Sequence, residues 1–227
     1  MAFSYIERNL CALREEIHRL GGGRDVCLVC VTKSGSDEEL LALCAAGARD
    51  IAENRPQELL RRAALVREAG FAPRMHEIGN LQKNKVRHIL PLDPLIHSVS
   101  SVSLAEEIER RAAQDGRTVE VLLEINSGRE AAKGGVLPEE AEAVFCRLRE
   151  MSHLRVLGLM TMAPVTDTPE GARPYFRDTR RLFDHLGERY GYATDTPTLS
   201  MGMSDSYPVA IQEGSTLVRV GRKLFVK

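Results

Sequence analysis

Hydrophobic and polar positions along this chain follow two alternating periods, which predict helices and short strands in turn. An apolar residue recurs every three or four positions from Ile6 to Leu20, and this spacing predicts an amphipathic helix that ends at glycines 21–23. The apolar, β-branched run at 26–32 predicts a first strand. Asp37 is then predicted to cap a helix that continues to residue 46.

The same strand and helix alternation continues through the rest of the sequence. Further strands are predicted at 50–52, 74–78, 95–99, 118–125, 154–160, 198–201 and 216–220. Further helices are predicted at 56–69, 81–89, 103–114, 138–151, 170–190 and 207–213. Parallel strands need crossover connections, so this order indicates a parallel α/β sheet. Eight units and one extra N-terminal helix favour a (β/α)8 TIM barrel over an open doubly wound sheet, with 1–227 as a single domain.

Composition narrows the class of protein. The 227 residues are 43% hydrophobic and 28% charged, and the formal net charge is −1. This balance argues against nucleic acid or an anionic membrane as a partner. The sequence has no apolar run of the roughly 20 residues that span a bilayer, and its start lacks a secretory signal. We therefore expect a cytoplasmic protein, and a monomer, because no apolar patch suggests self-association.

The five cysteines do not predict a disulfide framework or a metal site. Cys27 and Cys30 form a Cys-x-x-Cys pair, but both lie within the first predicted strand. Side chains three positions apart on a strand point to opposite faces, so these thiols cannot chelate together. We interpret them as small buried hydrophobic residues.

Candidate chemistry lies where the first and the last two strands end. Lys33 follows the first strand, the segment Ser200-Met-Gly-Met-Ser204 follows the seventh, and Arg219-Val-Gly221 closes the eighth. All strands of a closed parallel barrel end at the same rim, so these segments should meet in one pocket. A lysine amine that faces a cradle of backbone N–H groups suits an aldehyde with a phosphate, and pyridoxal 5′-phosphate is the evident candidate.

Each of these features also has a structural interpretation. Lys33 taken alone is more typical of a solvated loop lysine, and the serines around Gly202 could equally be helix caps. Arg219 lies in an apolar strand and could form a buried salt bridge with Glu124 or Glu77.

Other polar and soft residues are expected near the same rim. Asn54 is the better ligand candidate of its loop because an amide both donates and accepts. His76 is interpreted as a satisfied core histidine and Lys133 as a solvated loop residue. Four methionines could wall a ring or simply fill the core: Met160, Met162, Met201 and Met203.

Seven segments of the sequence together resemble the pyridoxal phosphate homeostasis protein family. They are Val31-Thr-Lys33, Glu53-Asn-Arg-Pro-Gln-Glu58, His76-Glu-Ile-Gly-Asn-Leu-Gln-Lys-Asn-Lys85, Ile96-His-Ser-Val99, Gly158-Leu-Met-Thr-Met-Ala-Pro164, Leu199-Ser-Met-Gly-Met-Ser-Asp205 and Glu213-Gly-Ser-Thr-Leu-Val-Arg-Val-Gly221. The resemblance spans nearly the whole chain and implies a barrel similar to the N-terminal domain of alanine racemase.

The resemblance also implies roles for individual residues. Lys33 would hold pyridoxal 5′-phosphate as a Schiff base, and Asn54 would lie near the ring. Ser200, Gly221 and the backbone of Arg222 would hold the phosphate, and Arg219 would face the pyridine nitrogen. Three departures stand out: Arg222 replaces a small hydroxyl residue, Ser34-Gly35-Ser36 replaces a more basic, proline-containing segment, and Leu224-Phe-Val-Lys227 lacks a terminal glycine.

These roles favour binding over catalysis. Arginine offers only donors, so Arg219 cannot keep the pyridine nitrogen protonated, and the ring becomes a weaker electron sink. A racemase of this type takes a second base from an additional domain, which we do not expect here because the sequence ends about where the barrel closes. The first hypothesis is a protein of vitamin B6 homeostasis that delivers the cofactor to acceptor enzymes with little or no turnover.

Two enzymes remain as alternatives. One is a pyridoxal phosphate-dependent amino-acid racemase with a tyrosine or cysteine at the rim as the missing base. The other is a barrel aldolase or isomerase that uses Lys33 on a sugar phosphate without a cofactor.

Overall fold

The computed structural model describes residues 3–227, which form a closed barrel of eight parallel strands in chain order. The strands are β1 (Cys27–Val31), β2 (Asp50–Glu53), β3 (Arg74–Glu77), β4 (Leu95–Val99), β5 (Val119–Ile125), β6 (Leu154–Thr161), β7 (Thr198–Ser200) and β8 (Leu217–Val220). The helices are α1 (Ser4–Gly21), α2 (Asp37–Ala45), α3 (Pro56–Glu68), α4 (Lys83–Ile89), α5 (Val102–Gln114), α6 (Ala141–Arg149), α7 (Arg173–Tyr190) and α8 (Tyr207–Gln212). The predicted (β/α)8 barrel with an extra N-terminal helix is confirmed.

The barrel closes where the first strand pairs with the eighth. Cys27 pairs with Leu217 and Cys30 with Val220, in parallel register. Helix α1 strengthens this seam from outside, since Asn9 Nδ2 donates to the carbonyl of Leu224 at 3.1 Å. Closure places the residues that follow β1 beside those that follow β8, at the carboxyl rim.

Local sequence signals explain where the first helices begin and end. Gly22 ends α1 in the left-handed conformation, with φ of 58°, which a glycine adopts without strain. Helix α2 begins with a capping box in which the Ser36 hydroxyl accepts from the Glu39 amide and the Glu39 carboxylate accepts from the Ser36 amide. The cap is therefore Ser36, and the prediction of Asp37 as the cap was wrong by one residue.

Three predicted helices are shorter in the structure. Residues 138–140 form a turn before α6, and residues 81–82 precede the start of α4 at Lys83. Pro169–Ala172 forms a 3-10 turn before α7. Proline lies in the segments before α6 and α7, and its fixed φ and missing N–H favour the first turn of a helix over its interior. A 3-10 helix at Leu90–Leu92 follows α4 directly.

The hydrophobic core has an outer layer between sheet and helices and an inner part within the barrel. One inner cluster packs Val29, Val31, Ala52 and Leu217, and a second packs Leu95, Leu122, Leu157 and Met160. Cys27 packs on the first inner cluster whereas Cys30 belongs to the outer layer, so the two thiols face opposite ways as predicted.

Residues 3–227 contain neither a membrane-spanning helix nor a metal-binding cluster of side chains. No helix within them combines the length and apolar content that crossing a membrane requires. No group of three or more His, Cys, Asp or Glu side chains within them could hold a metal ion.

Candidate functional site

The carboxyl ends of the strands surround a cavity of about 560 Å³, within the range of small-ligand pockets. Five of the six predicted site residues line this cavity: Lys33, Asn54, Arg219, Gly221 and Arg222. The sixth, Ser200, does not. Segments that are nearly 190 residues apart in sequence thus meet at one place, because the closed barrel brings all strand ends to the same rim.

Lys33 lies two residues past the end of β1, with its side chain exposed. The buried Thr32 before it donates to Glu53 Oε1 at 2.5 Å, which anchors the end of β1 to the end of β2. Within residues 3–227, no ion pair or side-chain hydrogen bond engages the Lys33 amine. The amine therefore projects from a fixed strand end and is available to react.

Backbone N–H groups from two loops gather on the other side of the cavity. The amides of Ser204 and Asp205, before α8, have no acceptor among the described residues, nor does that of Arg222, which begins the 3-10 helix Arg222–Leu224. The amide of Gly221 donates to Ser204 Oγ at 3.2 Å. Free backbone donors of this kind form a concavity suited to an anion.

Ser200 lies inside the barrel instead of at this cradle. It is the last residue of β7, and its side chain is buried against His97 and Arg219, at 3.0 Å from His97 Nδ1 and 2.5 Å from Arg219 Nη1. Side-chain alternation along β7 turns Ser200 inward, opposite to Leu199, which packs in the outer core. Ser204, four residues later, lines the cavity, as do Ser34 and Ser206.

Arg219 projects from β8 into the barrel interior and reaches the floor of the cavity. Its Nη2 donates to the carbonyl of Thr161 at 3.0 Å, and its Nη1 donates to Ser200 Oγ. Burial lowers the pKa of Arg219 to about 10, and Glu124 opposes this shift. At neutral pH the guanidinium is therefore a fixed positive donor.

The ion pairs considered for Arg219 do not form among the described residues. Glu124 lines the cavity and raises the pKa of Arg219 through space without direct contact. Burial raises the pKa of the Glu124 carboxyl itself, while Arg219 lowers it. Glu77 pairs in register with Glu53, whose carboxylate contacts Arg62 of α3, on the helix side of the sheet. The interpretation of Arg219 as a salt-bridge residue is not supported by this geometry.

The loops after β2 and β3 meet at Gly79 and Asn54. A Cβ atom at Gly79 would lie 2.0 Å from the carbonyl oxygen of Asn54, so only glycine permits this approach. The close contact sets Asn54, Ile78 and Asn80 together along one wall of the cavity.

The remaining candidates divide between site and core. Met162 and Met203 line the cavity, whereas Met160 and Met201 pack in the core. Lys133 lies in a loop as expected, and its partly exposed side chain also lines the cavity and pairs with Glu130.

Arg222 makes a contact that the sequence left open. Its guanidinium pairs with the carboxylate of Asp205, and both side chains line the cavity while remaining largely exposed. The pair connects the end of β8 to the turn before α8, directly over the free amides.

A second cavity, of about 590 Å³, opens at the opposite face of the barrel. Arg14, Arg24, Arg49 and Asp50 are among its lining residues, and no lysine is. Among the described residues, this cavity therefore offers no lysine amine, whereas the cavity at the carboxyl rim contains Lys33.

Four residues around the site had no role assigned to them individually from the sequence. Ser204 lay within the candidate segment after the seventh strand, where it follows the glycine. His97 and Glu124 could have been placed by strand alternation with Arg219 on the inner face. Lys133 stands in a glycine-rich loop with no periodic pattern, and only the tertiary structure brings it to the cavity.

Residues 4–226 match the family described as "Alanine racemase, N-terminal domain". The chain is 38% identical over 221 residues to the pyridoxal phosphate homeostasis protein of Aquifex aeolicus, covering 97% of this chain and 95% of that one.

Solved structures agree with this match. PipY of Synechococcus elongatus, solved with pyridoxal phosphate bound, superposes with a TM-score of 0.85 at 30% identity and covers 97% of this chain and 100% of its own. An alanine racemase of Clostridium difficile superposes with a TM-score of 0.79 at 18% identity, over 99% of this chain and 60% of the racemase, and shows a common fold.

Proposed function

This chain belongs to the family of pyridoxal phosphate homeostasis proteins, and we propose that it binds pyridoxal 5′-phosphate as a Schiff base on Lys33. We further propose that it acts in the homeostasis and delivery of this cofactor, with little or no catalytic turnover. The observation that carries the proposal is the single cavity that joins Lys33 to the free amides around Ser204 and Gly221.

The donor set of the cavity fits the cofactor. Pyridoxal phosphate supplies an aldehyde that bonds reversibly to an amine, so the same bond that retains it also permits its release. Lys33 offers the amine, and the hydroxyl of Ser204 and the unpaired amides of Ser204, Asp205 and Arg222 offer donors for a phosphate dianion, while the Gly221 amide holds the Ser204 hydroxyl in place. Met162 and Met203 offer polarizable apolar contact for a ring.

Arg219 supports a binding role over a catalytic one. As a donor it can hydrogen-bond an unprotonated pyridine nitrogen, but it cannot stabilise the protonated form as a carboxylate would. A ring without that proton withdraws electrons poorly, which disfavours carbanion chemistry on a bound amino acid.

The cavity wall does not offer the tyrosine or cysteine that the racemase alternative names as its second base. Among the described residues that line it, none is tyrosine, cysteine or histidine. Besides Lys33, the remaining candidates for a proton acceptor are Glu124, Asp205 and Lys133, but Asp205 pairs with Arg222 and Lys133 with Glu130. This composition supports slow turnover at most.

A spectroscopic experiment tests the binding proposal. Purified protein mixed with pyridoxal phosphate should absorb visible light, and borohydride reduction followed by peptide mapping should place the label on Lys33. Lys33→Ala should lose the absorbance. Lys133→Ala, a matched change in the same cavity, should keep both the absorbance and the label. A label on another lysine in the wild type would reject the proposed site.

A second experiment separates binding from catalysis and from cofactor-free aldolase chemistry. Exchange of the α-proton with deuterated water is followed by NMR for a panel of amino acids with loaded protein. Exchange no faster than with free pyridoxal phosphate supports the delivery role. Faster exchange that Glu124→Gln abolishes would favour the racemase alternative, and a colourless protein that traps sugar phosphates on Lys33 would favour the aldolase.

The acceptor enzymes, the monomeric state and the cytoplasmic location stay predictions. Sedimentation of loaded protein alone measures its oligomeric state. Sedimentation with a pyridoxal phosphate-free acceptor enzyme detects a complex between the two proteins. A stable complex would indicate direct transfer, and release without one would indicate transfer through solution.

A further inference from the structure

A chain of hydrogen-bonded groups runs through the barrel from one face to the other, and we call it the relay. It comprises Asp50, His76, His97, Ser200 and Arg219. His76 Nε2 lies 2.9 Å from Asp50 Oδ1, and His76 Nδ1 lies 2.9 Å from His97 Nε2. His97 Nδ1 lies 3.0 Å from Ser200 Oγ, which accepts from Arg219 Nη1.

The relay connects the two large cavities. Asp50 begins β2 and lines the cavity at the amino-terminal face, whereas Arg219 lines the cavity at the carboxyl rim. The three residues between them are completely buried. Members of the inner apolar clusters flank the relay, since Ala52 pairs in register with His76 and Met160 with Ser200, so the buried relay groups depend on one another for hydrogen bonds.

The two charged ends fix the direction of every hydrogen bond. Arg219 has only donors. Burial acts to raise the pKa of Asp50, but the hydrogen bond from His76 and the nearby charge of Arg74 hold it below its ordinary value, so Asp50 is an acceptor. Burial lowers the pKa of both histidines, which favours neutral imidazoles with one proton each.

Only one proton arrangement then satisfies all four contacts. His76 donates from Nε2 to Asp50 and accepts at Nδ1 from His97 Nε2–H. His97 accepts at Nδ1 from the Ser200 hydroxyl, which in turn accepts from Arg219. The opposite direction would set a lone pair of His76 against the Asp50 carboxylate. It would also protonate both imidazoles on Nδ1.

We propose that Asp50, His76, His97 and Ser200 are positioning residues that orient Arg219 toward the pyridine nitrogen of bound pyridoxal phosphate. This inference rests on the proposed function for its ligand and on the contacts above for its geometry. With Nη1 committed to Ser200 and Nη2 to Thr161, the guanidinium plane is fixed and its remaining donors are limited to the cavity side.

The relay also explains how a buried arginine is tolerated without a direct ion pair. An isolated buried charge is costly, and Glu124 acts on Arg219 only through space. A file of aligned dipoles that ends in a carboxylate stabilises the guanidinium across the barrel. Arg74 is the other charge that acts on the two histidines, and it too lowers their pKa.

The ligand-free protein permits a first test. Long-range proton–nitrogen NMR spectra distinguish the two neutral forms of histidine, and His76→Phe and His97→Phe assign the signals. We expect both His76 and His97 to carry their proton on Nε2. A proton on Nδ1 of either residue would overturn the direction, and a doubly protonated ring would overturn the neutral relay.

Ligand binding provides the second test, with pyridoxal phosphate and its 1-deaza analogue, which lacks the pyridine nitrogen. We expect Ser200→Ala to weaken binding of pyridoxal phosphate by roughly tenfold, as for loss of a hydrogen bond to a charged group. Binding of the analogue should change by less than about twofold, because it makes no contact at the nitrogen. Equal losses for both compounds would mean that the relay only supports the fold.

Asp50 offers a variant that is remote from the ligand and only partly buried. Asp50→Ala should reproduce the selective loss, and Asp50→Asn, which keeps an acceptor oxygen, should restore part of it. Wild-type affinity for pyridoxal phosphate tests the proposed function itself. If the wild type does not bind, the histidine spectra still decide whether the relay exists. If it binds and Asp50→Ala changes neither ligand, the relay inference alone fails.

Discussion

The amide of Gly221 donates to the hydroxyl of Ser204 at 3.2 Å, which ties the end of β8 to the turn that precedes α8. The hydroxyl accepts in this contact, so its own hydrogen remains available to a phosphate in the cavity. Ser200 differs, because its hydroxyl lies 3.0 Å from His97 Nδ1 inside the barrel and, in the proposed relay, donates its hydrogen there.

Substituting the two serines should therefore change ligand binding in different ways. Ser204→Ala should weaken binding of pyridoxal phosphate by roughly tenfold and leave binding of pyridoxal nearly unchanged. Ser200→Ala should weaken both compounds by a similar factor, because both contain the ring nitrogen. Titration by absorbance with the two aldehydes measures this. If Ser200→Ala weakened binding of pyridoxal phosphate but not of pyridoxal, and Ser204→Ala did not, then Ser200 would be the serine that contacts the phosphate.

Substitutions at Gly79 and Gly134 can be compared as a test variant and its control, since both glycines line the same cavity. A Cβ atom at Gly79 would meet the Asn54 carbonyl at 2.0 Å, whereas at Gly134 it would lie 3.6 Å from a Glu124 oxygen, an ordinary contact. Gly79→Ala should cost about 1–3 kcal/mol in the free energy of unfolding and displace Asn54.

Gly134→Ala should leave unfolding and cofactor affinity close to wild type. Urea denaturation and absorbance titration of both variants check the pair. Equal stability of the two would contradict the close approach of the loops after β2 and β3.

Glu77 predicts how stability depends on pH. Burial raises the pKa of this carboxyl to about 7, with Glu53 adding to the shift and the amide of Gly79 opposing it. The folded protein thus keeps Glu77 protonated where the unfolded chain, with a pKa near 4.5, has already ionised. Stability from this group is fully present below about pH 4.5 and falls until about pH 7.

The loss amounts to about 3 kcal/mol, at about 1.4 kcal/mol for each unit of pKa. Glu77→Gln should remove it, so this variant should gain stability over the wild type at pH 8 and resemble it at pH 4.5. Urea unfolding at both pH values measures the difference. If the free energy of unfolding changed with pH by the same amount in the two proteins, the pKa of Glu77 would not be raised in the folded state.

The pair of Arg222 and Asp205 predicts a charge coupling at the phosphate cradle. Arg222→Ala leaves the Asp205 carboxylate unpaired beside the free amides, so pyridoxal phosphate should bind several-fold more weakly. The double variant with Asp205→Ala should regain most of the affinity. Both side chains are largely exposed, so the effect should shrink at high salt. If the effects of the two single substitutions on affinity simply added in the double variant, the pair would not act on the ligand as a unit.

The order of elements and most strand positions could be predicted from the sequence, because apolar periodicity depends on local residues. Residues that follow a strand end, such as Lys33 and Asn54, were placed at the rim cavity by sequence, and their roles there stay predictions. The sequence could not show that Ser200 lies inside the barrel while Ser204 lines the cavity, since this depends on where β7 ends and which way its last side chain points.

The polar interior of the barrel was also beyond sequence reasoning. Contacts between His76, His97 and Ser200 depend on the register of strands that are distant along the chain. The cap of α2 moved by one residue because Ser36 and Asp37 are both good capping residues, and only the geometry of the capping box separates them.

Pairing of β1 with β8 has a consequence for biosynthesis. Lys33 leaves the ribosome early, whereas Arg219 and Gly221 are translated almost two hundred residues later. A nascent chain can therefore expose the reactive amine for much of translation without any means of holding a vitamin. Capture has to wait until the eighth strand docks, which makes acquisition of the vitamin a report that the barrel has closed.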